Sequence, residues 1–385
     1  MPELEVSAIL IGLVGGLAIF LYGMEKLTQA LKLLAGDRMR DLLARMTGNR
    51  LKAVLTGAAI TATIQSSSVT TVLVVGFISA GLLTLQQSIG IIMGASIGTT
   101  ITAQIVAFKV TKFALVPVAL GFFLSVVPKS STVRTWGTMI MGLGLVFFGM
   151  ELMKGATSPL RDYEPFIQTM QNLDNPLVAV MFGALFTALV QSSSATTGVI
   201  IVLASQGLIT LEQGIALVLG ANIGTCVTAM LAAIGKQRPA LRAALIHVTF
   251  NVSGVLLWFN FVDPLADLMR ELSPVAEGLV GIDKLAQETP RQIANAHTFF
   301  NVCNTLIFIW FTGVFAWIVT RLVPEKRPVG PTAIEPRFLD PVLLDTPALA
   351  LDATRMELVR MGEHLKPMLA DSLRTALEGS ESELS

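Results

Sequence analysis

Apolar residues run along this chain in blocks rather than at alternating positions. Seven blocks, near residues 6–31, 88–108, 113–127, 136–153, 212–234, 240–262 and 293–320, read as full spans, because crossing about 30 Å of hydrocarbon takes about 20 helical residues. The block at 113–127 is the shortest of them. Two further blocks, 53–80 and 179–204, are broken at mid-length by a polar cluster, Gln65-Ser66-Ser67-Ser68 in one and Gln191-Ser192-Ser193-Ser194 in the other. Four consecutive hydrogen-bonding side chains reach every side of a helix, and inside lipid each needs a partner. Two half-helices that enter and leave on one side, with the cluster at the tip, remove that difficulty, since the tip then lines protein or water.

The two clusters are copies. Sliding the chain by 126 residues aligns Gln65 with Gln191, Gly94 with Gly220, and Gly23-Met24-Glu25 with Gly149-Met150-Glu151, without a gap. Over 65–103 against 191–229, 20 of 39 positions are identical, which chance does not produce. An internal duplication of this kind is a hallmark of transporter folds. Three spans separate the start of one copy from the next, an odd number, so the second copy is expected upside down relative to the first. The sequence therefore predicts an all-α polytopic membrane protein made of two inverted-topology repeats, each with a re-entrant helical hairpin, about seven full spans plus two hairpins. The expected division is repeat one over 1–130, repeat two over 131–262, an external amphipathic segment and a final span over 263–322, and a cytoplasmic tail over 323–385.

Charge sets the orientation. With 53% hydrophobic and only 14% charged residues, the chain lies far from soluble domains, which carry roughly 25% charged residues. The 27 basic and 27 acidic residues cancel, so no overall positive field attracts nucleic acid. The loops are unequal, however. Lys32, Arg38, Arg40, Arg45, Arg50, Lys52, Lys129, Arg134, Lys236, Arg238, Arg242, Arg321, Lys326 and Arg327 fall on one expected side. Only Lys109, Lys112, Lys154, Arg161, Arg270, Lys284 and Arg291 fall on the other, where acids outnumber them. By the positive-inside rule the N-terminus is expected outside and the C-terminus in the cytoplasm. Glu3 and Glu5 stand where a signal peptide carries basic residues, so the first block reads as a retained span.

Each Gln-Ser-Ser-Ser cluster supplies an amide and three small hydroxyls. At a hairpin tip, the N-terminal end of the returning half-helix adds backbone N–H groups and its positive dipole end, which together favour an anion. Phosphate needs many donors at once, and these supply them without a buried lysine, which costs about 2.5–3.5 kcal/mol even on lenient scales. Gln65, Ser66, Ser67, Ser68, Gln191, Ser192, Ser193 and Ser194 are thus candidates to hold an oxyanion. Thr70-Thr71 and Thr196-Thr197 follow the clusters, and Gly94-Ala-Ser96-Ile-Gly98-Thr99 is repeated as Gly220-Ala-Asn222-Ile-Gly224-Thr225. Hydroxyls, amides and carbonyls freed near glycines are hard oxygen ligands suited to sodium, which makes Thr70, Thr71, Ser96, Thr99, Thr196, Thr197, Asn222 and Thr225 candidates. A glycine seam for close helix packing is the competing reading of these glycines; the two are compatible.

Other polar residues point to packing. Glu25 and Glu151, at span ends, read as interfacial. His247 with Asn251 and His297 with Asn301 share a helix face at four-residue spacing. No Gly-x-Ser-x-Gly elbow or zinc motif accompanies them, so an intramembrane hydrolase is poorly supported and interhelical hydrogen bonding is expected. Cys226 and Cys303 lie in apolar runs as small hydrophobes. No transition metal or cofactor is expected.

The two QSSS clusters with their threonine pairs, the G-A-[SN]-I-G-T segments and the two H-x-x-F-N motifs resemble the type II sodium/phosphate cotransporter family in its bacterial branch. The resemblance implies sodium-coupled uptake of inorganic phosphate across the cell inner membrane by alternating access. It makes phosphate, sodium ions and the lipid bilayer the partners and no enzyme activity expected. Assembly into homo-oligomers stays open. Another oxyanion, or a phosphate-sensing membrane scaffold, is the alternative. Bacterial members often continue into a PhoU-type helical domain, and residues from Thr346 onward resemble its first helix, cut short where the chain stops.

Overall fold

A computed structural model describes residues 6–35, 49–79, 83–108, 113–163, 165, 175–234, 238–324, 336, 338–339 and 347–378. Loop residues used above for orientation, among them Arg38, Arg40, Arg45, Lys109, Lys112, Lys236, Lys326 and Arg327, lie outside the described residues. The described part is helical and contains no strand. Among the described residues, six stretches are long and apolar enough to cross a membrane: Ser7–Leu34, Leu85–Val106, Ser131–Arg161, Leu211–Leu231, Leu241–Leu272 and Gly281–Leu322.

The seventh expected span is where sequence and structure part. Residues 113–127 form a helix of only 12 residues, Leu115–Val126, about 18 Å long at 1.5 Å per residue. Its glycine face nevertheless packs closely along the next helix: a Cβ on Gly121 would collide with Met141 and one on Gly144 with Val118.

In chain order the helices are α1 (Val6–Ala35), α2 (Arg50–Ile64), α3 (Ser67–Ser79), α4 (Leu85–Val106), α5 (Leu115–Val126), α6 (Ser131–Thr157), α7 (Pro176–Val190), α8 (Ser193–Ser205), α9 (Leu211–Ala233), α10 (Arg238–Trp258), α11 (Val262–Leu272), α12 (Gly281–Phe308), α13 (Thr312–Leu322) and α14 (Pro347–Glu378). Local signals fix the starts. Asn49 and Asn175 cap α2 and α7 through their side chains, Pro176 adding a preset φ in the second case. Thr84 with Gln87, and Thr210 with Gln213, form capping boxes on α4 and α9.

Glycines set how the helices meet. A Cβ on Gly57 would strike the Ile91 carbonyl, one on Gly94 that of Val54, and one on Gly98 that of Ala58. The same three contacts recur 126 residues later, with Gly183 against Leu217, Gly220 against Val180 and Gly224 against Ala184. Helices α2 and α4 thus run parallel at backbone contact, as do α7 and α9, which is the close approach that small residues permit in membranes. Helices α1 and α6, themselves equivalent in the duplication, cross antiparallel: Gly16 lies against Gly149 and Gly23 against Gly142.

A second correspondence, at an offset of 50 residues, relates α10 to α12. Each ends in a 3₁₀ turn, at 259–261 and 309–311, that redirects the chain into α11 and α13. The two helices cross antiparallel where Gly254 meets the amide of Asn304. Ring pairs flank the crossing on both sides, Phe250 with Phe308 at 6.0 Å and Trp258 with Phe300 at 5.9 Å between centroids, both edge-on. The expected segment after 262 begins with α11, which buries Val262, Leu265, Ala266 and Met269 on one face and ties Arg270 to Glu212 and Asp267 on the other.

Candidate functional site

Both QSSS clusters break their helices. α2 ends at Ile64 and α3 begins at Ser67; α7 ends at Val190 and α8 begins at Ser193. The break is made by the glutamine. Gln65 at φ 57° and Gln191 at φ 58° are the only non-glycine residues in the left-handed region among those described, a conformation costing roughly 1–2 kcal/mol for an L residue. Each is partly compensated in the same way: its backbone N–H donates to the carbonyl of Thr61 or Thr187, and its side-chain Nε2 to that of Ala62 or Ala188. The arms span 15 and 13 residues in each half, about 22 and 20 Å, less than the roughly 30 Å of a hydrocarbon core.

Past the turn, Ser66 Oγ accepts from the Val69 N–H at 3.3 Å, and Ser192 Oγ from that of Ala195 at 3.2 Å. Each serine thereby caps the returning helix. The first N–H groups of α3 and α8, on Ser67–Ser68 and Ser193–Ser194, have no carbonyl within their own helix to bond, and they sit beside the helix dipole's positive end. Ser67, Ser193 and Ser194 are buried, and Ser66, Ser68 and Ser192 partly so. The arms are pinned together by one hydroxyl pair per hairpin, Thr61 with Thr70 and Thr187 with Thr196, each at 2.8 Å.

The candidate cation ligands are equally buried. Thr70, Thr71, Ser96, Thr99, Thr196, Thr197, Asn222 and Thr225 are all under a tenth exposed. Thr71, Thr99 and Thr225 donate their hydroxyl protons to carbonyls one turn back, which leaves lone pairs directed away from the helix. Asn222 Nδ2 is buried without a partner among the described residues. Contrary to the expected local break, the Gly94–Thr99 and Gly220–Thr225 segments run as unbroken α-helix, and their glycines serve as the packing seam. Carbonyls there stay engaged within the helix, so side-chain oxygens are the ligands on offer.

The halves interlock: α3 packs on α9 as well as on α4, and α8 packs on α4 as well as on α9. Helices of the two halves therefore share one central bundle. A cavity of about 670 Å³ borders it, lined by Lys154, Arg161, Ser205, Gln206 and Asp283 among others. It follows the returning arm of the second hairpin from Ile201 to Gln206, and its lining does not include Gln191–Ser194. Arg161 is held beside it by Asp283 at 2.5 Å.

His247 and His297 are buried, each with its carbonyl accepting from the amide of Asn251 or Asn301 one turn on, at 3.0 and 2.9 Å. Both bonds run within a single helix, α10 or α12, and the ring Nδ1 atoms have no partner among the described residues, so the histidine rings pack in the interior without the interhelical hydrogen bonding expected of them. One residue that sequence reading passed over is Thr102 on α4, whose hydroxyl donates to Gln65 Oε1. The signal was present, since Thr102 and its counterpart Thr228 lie among the 20 identities of the duplicated segment.

Among the described residues, six helices long and apolar enough to cross a membrane surround two serine-bearing turns, the architecture of a polytopic membrane protein. The profile of the Na+/Pi-cotransporter family matches residues 19–155 and 163–284, and the chain belongs to that family. YqeW of Bacillus subtilis is 32% identical over 83% of this chain and 99% of its own length. The Salmonella typhimurium "Putative inorganic phosphate export protein YjbB" is 28% identical over 97% of this chain, which spans only 66% of that relative. The human sodium-dependent phosphate transport protein 2B is 46% identical across 21% of this chain and 12% of its own. No solved structure gives a significant match.

Proposed function

We propose that this protein is a secondary transporter that couples sodium entry to uptake of inorganic phosphate, with the two QSSS turns as its substrate site. The observation that carries the proposal is the twice-built turn: a left-handed glutamine, a serine cap and the open N-terminus of a buried half-helix, repeated 126 residues apart. Gln65, Ser66, Ser67 and Ser68, with Gln191, Ser192, Ser193 and Ser194, would replace the hydration shell of phosphate by amide, hydroxyl and backbone N–H donors. The hydroxyls of Thr70, Thr71, Ser96, Thr99, Thr196, Thr197 and Thr225 and the amide oxygen of Asn222 would hold sodium, offsetting the anion's charge where the dielectric is low.

The geometry supports two inverted repeats with re-entrant hairpins. The equivalent helices α1 and α6 cross antiparallel, and the hairpin arms fall short of a full crossing. Alternating access then follows from one half changing its relation to the other about the shared bundle. The basic loops support an N-terminus outside and a cytoplasmic C-terminus, with hairpin one entering from the cytoplasm and hairpin two from outside. α14, a mixed-charge helix anchored through Glu357 to the Phe338 N–H and to Arg360, is read as the opening helix of a PhoU-like cytoplasmic unit.

The enterobacterial relatives named for phosphate export favour a second reading, the same site working outward. Radiolabelled phosphate flux in proteoliposomes decides between them. Uptake is expected to rise severalfold with an inward sodium gradient and to collapse when the gradient is dissipated. Flux indifferent to sodium rejects the coupling, and efflux alone selects export.

A further inference from the structure

The two turns agree in sequence and in backbone but not in what holds their glutamines. In the first half, Thr102 on α4 donates its hydroxyl proton to Gln65 Oε1, and both residues are buried. In the second half, Thr228 stands at the equivalent place on α9, 126 residues on. Its hydroxyl oxygen is buried and has no hydrogen-bond partner among the described residues, while Gln191 is exposed. The Nε2 bonds to Ala62 and Ala188 are the same in both halves, so the difference is confined to the Oε1 side of the amide. The glycine contacts one turn earlier, Gly98 on Ala58 and Gly224 on Ala184, are also alike. Identical parts are therefore in two different states within one molecule.

A second asymmetry accompanies the first. The crossed pair α1 and α6 leans on the hairpins unequally: α1 packs on α2, the entering arm of hairpin one, and through Phe20 on Gly198 of α8, whereas α6 packs on α8, the returning arm of hairpin two. The cavity of about 670 Å³ runs along α8, in the half whose glutamine lacks the bond across to the neighbouring threonine.

We infer that Thr102 and Thr228 are positioning residues forming the two arms of a reciprocal latch. In the conformation described, Gln65–Thr102 is closed and Gln191–Thr228 is open, and the cavity along α8 is the accessible side. In a molecule built from duplicated halves, exchanging the states of the two halves produces the opposite-facing conformation. There Thr228 donates to Gln191, Thr102 releases Gln65, and the cavity at Ser205 closes. Each latch acts through its glutamine on the adjacent serine turn, so closure on one side and exposure on the other are set by the same pair of bonds. The inference rests on the alternating-access reading above.

Labelling tests it in reconstituted full-length protein. A single reporter, Ser205→Cys, is placed in the cavity wall in a Cys303→Ala background, leaving the buried Cys226, and its rate of reaction with a membrane-impermeant thiol reagent is measured alongside phosphate flux. Thr102→Val removes the bond that holds the described conformation. It is expected to shift the equilibrium about fivefold toward the opposite conformation, the change worth one ordinary neutral hydrogen bond, and so to lower the labelling rate, by at most about fivefold. Thr228→Val disables only the opposite latch and is expected not to lower it. Thr102→Ser and Thr228→Ser, which keep the hydroxyl, are expected to restore the parental rate. Thr228→Val lowering the rate as much as Thr102→Val, Thr102→Val leaving it unchanged, or serine failing to rescue overturns the latch while parental phosphate flux stays intact. Absence of flux in the parent overturns the transport reading, and the latch with it.

Discussion

Hairpin one and hairpin two are built from nearly the same residues, yet one tip is closed and the other is not. Gln65 is 7% exposed and bonded across to α4, whereas Gln191 is exposed and its counterpart partner on α9 has none among the described residues. The capping boxes, the glycine seams and the Thr–Thr pairs at 2.8 Å are the same in the two halves. The comparison separates what duplication preserves, the frame, from what a working transporter must vary, the tip. A frame held by backbone contacts at glycine is stiff. The freedom lies in side-chain bonds worth about 1 kcal/mol each, small enough to be exchanged during a transport cycle.

The comparison is open to attack at several strengths. The double variant Ser66→Ala/Ser192→Ala is expected to cut phosphate uptake at least about a hundredfold, since a hydrogen bond to a charged group is worth about 1.5–3 kcal/mol. Each single variant should lose roughly tenfold or more, with normal membrane insertion by surface labelling. Full uptake by both singles would remove the serines from the site. Gly94→Ala and Gly220→Ala force a methyl against a carbonyl, and each is expected to destabilise by about 1–3 kcal/mol. Thermal unfolding in detergent should show equal drops in Tm if the frames are truly alike. Gln65→Ala strands the buried Thr102 hydroxyl and should cost about 1–3 kcal/mol, whereas Gln191→Ala, which strands no such hydroxyl and loses the exposed Nε2 bond to Ala188, should cost less, about 0.5–1 kcal/mol. Equal losses in the same assay would erase the difference between the tips. Thr84→Ala and Thr210→Ala each remove a capping box and should cost about 1 kcal/mol, the same in both halves.

Much of this was legible in the residues themselves. The helix breaks at Gln65 and Gln191 followed from placing four polar side chains in mid-span, because lipid supplies no partners for them. The glycine spacing carried the seams, and the structure chose packing over helix unwinding at Gly94 and Gly220, since the seam glycines are already filled by a neighbouring backbone. Less was legible where the chain turns without changing its composition. The 3₁₀ turn at 309–311 lies inside the apolar run 293–320 that reads as one continuous span, whereas the turn at 259–261 falls at the end of the block 240–262. Nothing in the apolar run at 113–127 tells that only 12 residues become helix. The state of each glutamine was beyond reach for a different reason: identical local sequences encode identical local preferences, and only the rest of the molecule distinguishes them.

The left-handed glutamines carry a wider implication. Glycine would sit in that backbone well without steric penalty, so the corner as a piece of geometry would be sturdier with no side chain at all. A long amide occupies it twice, against its own conformational preference, and the natural inference from such an outlier is to a task the side chain performs. Replacing either with glycine would therefore be informative: a sturdier corner that has lost its purpose would show that architecture and activity draw on separate atoms of the same residue.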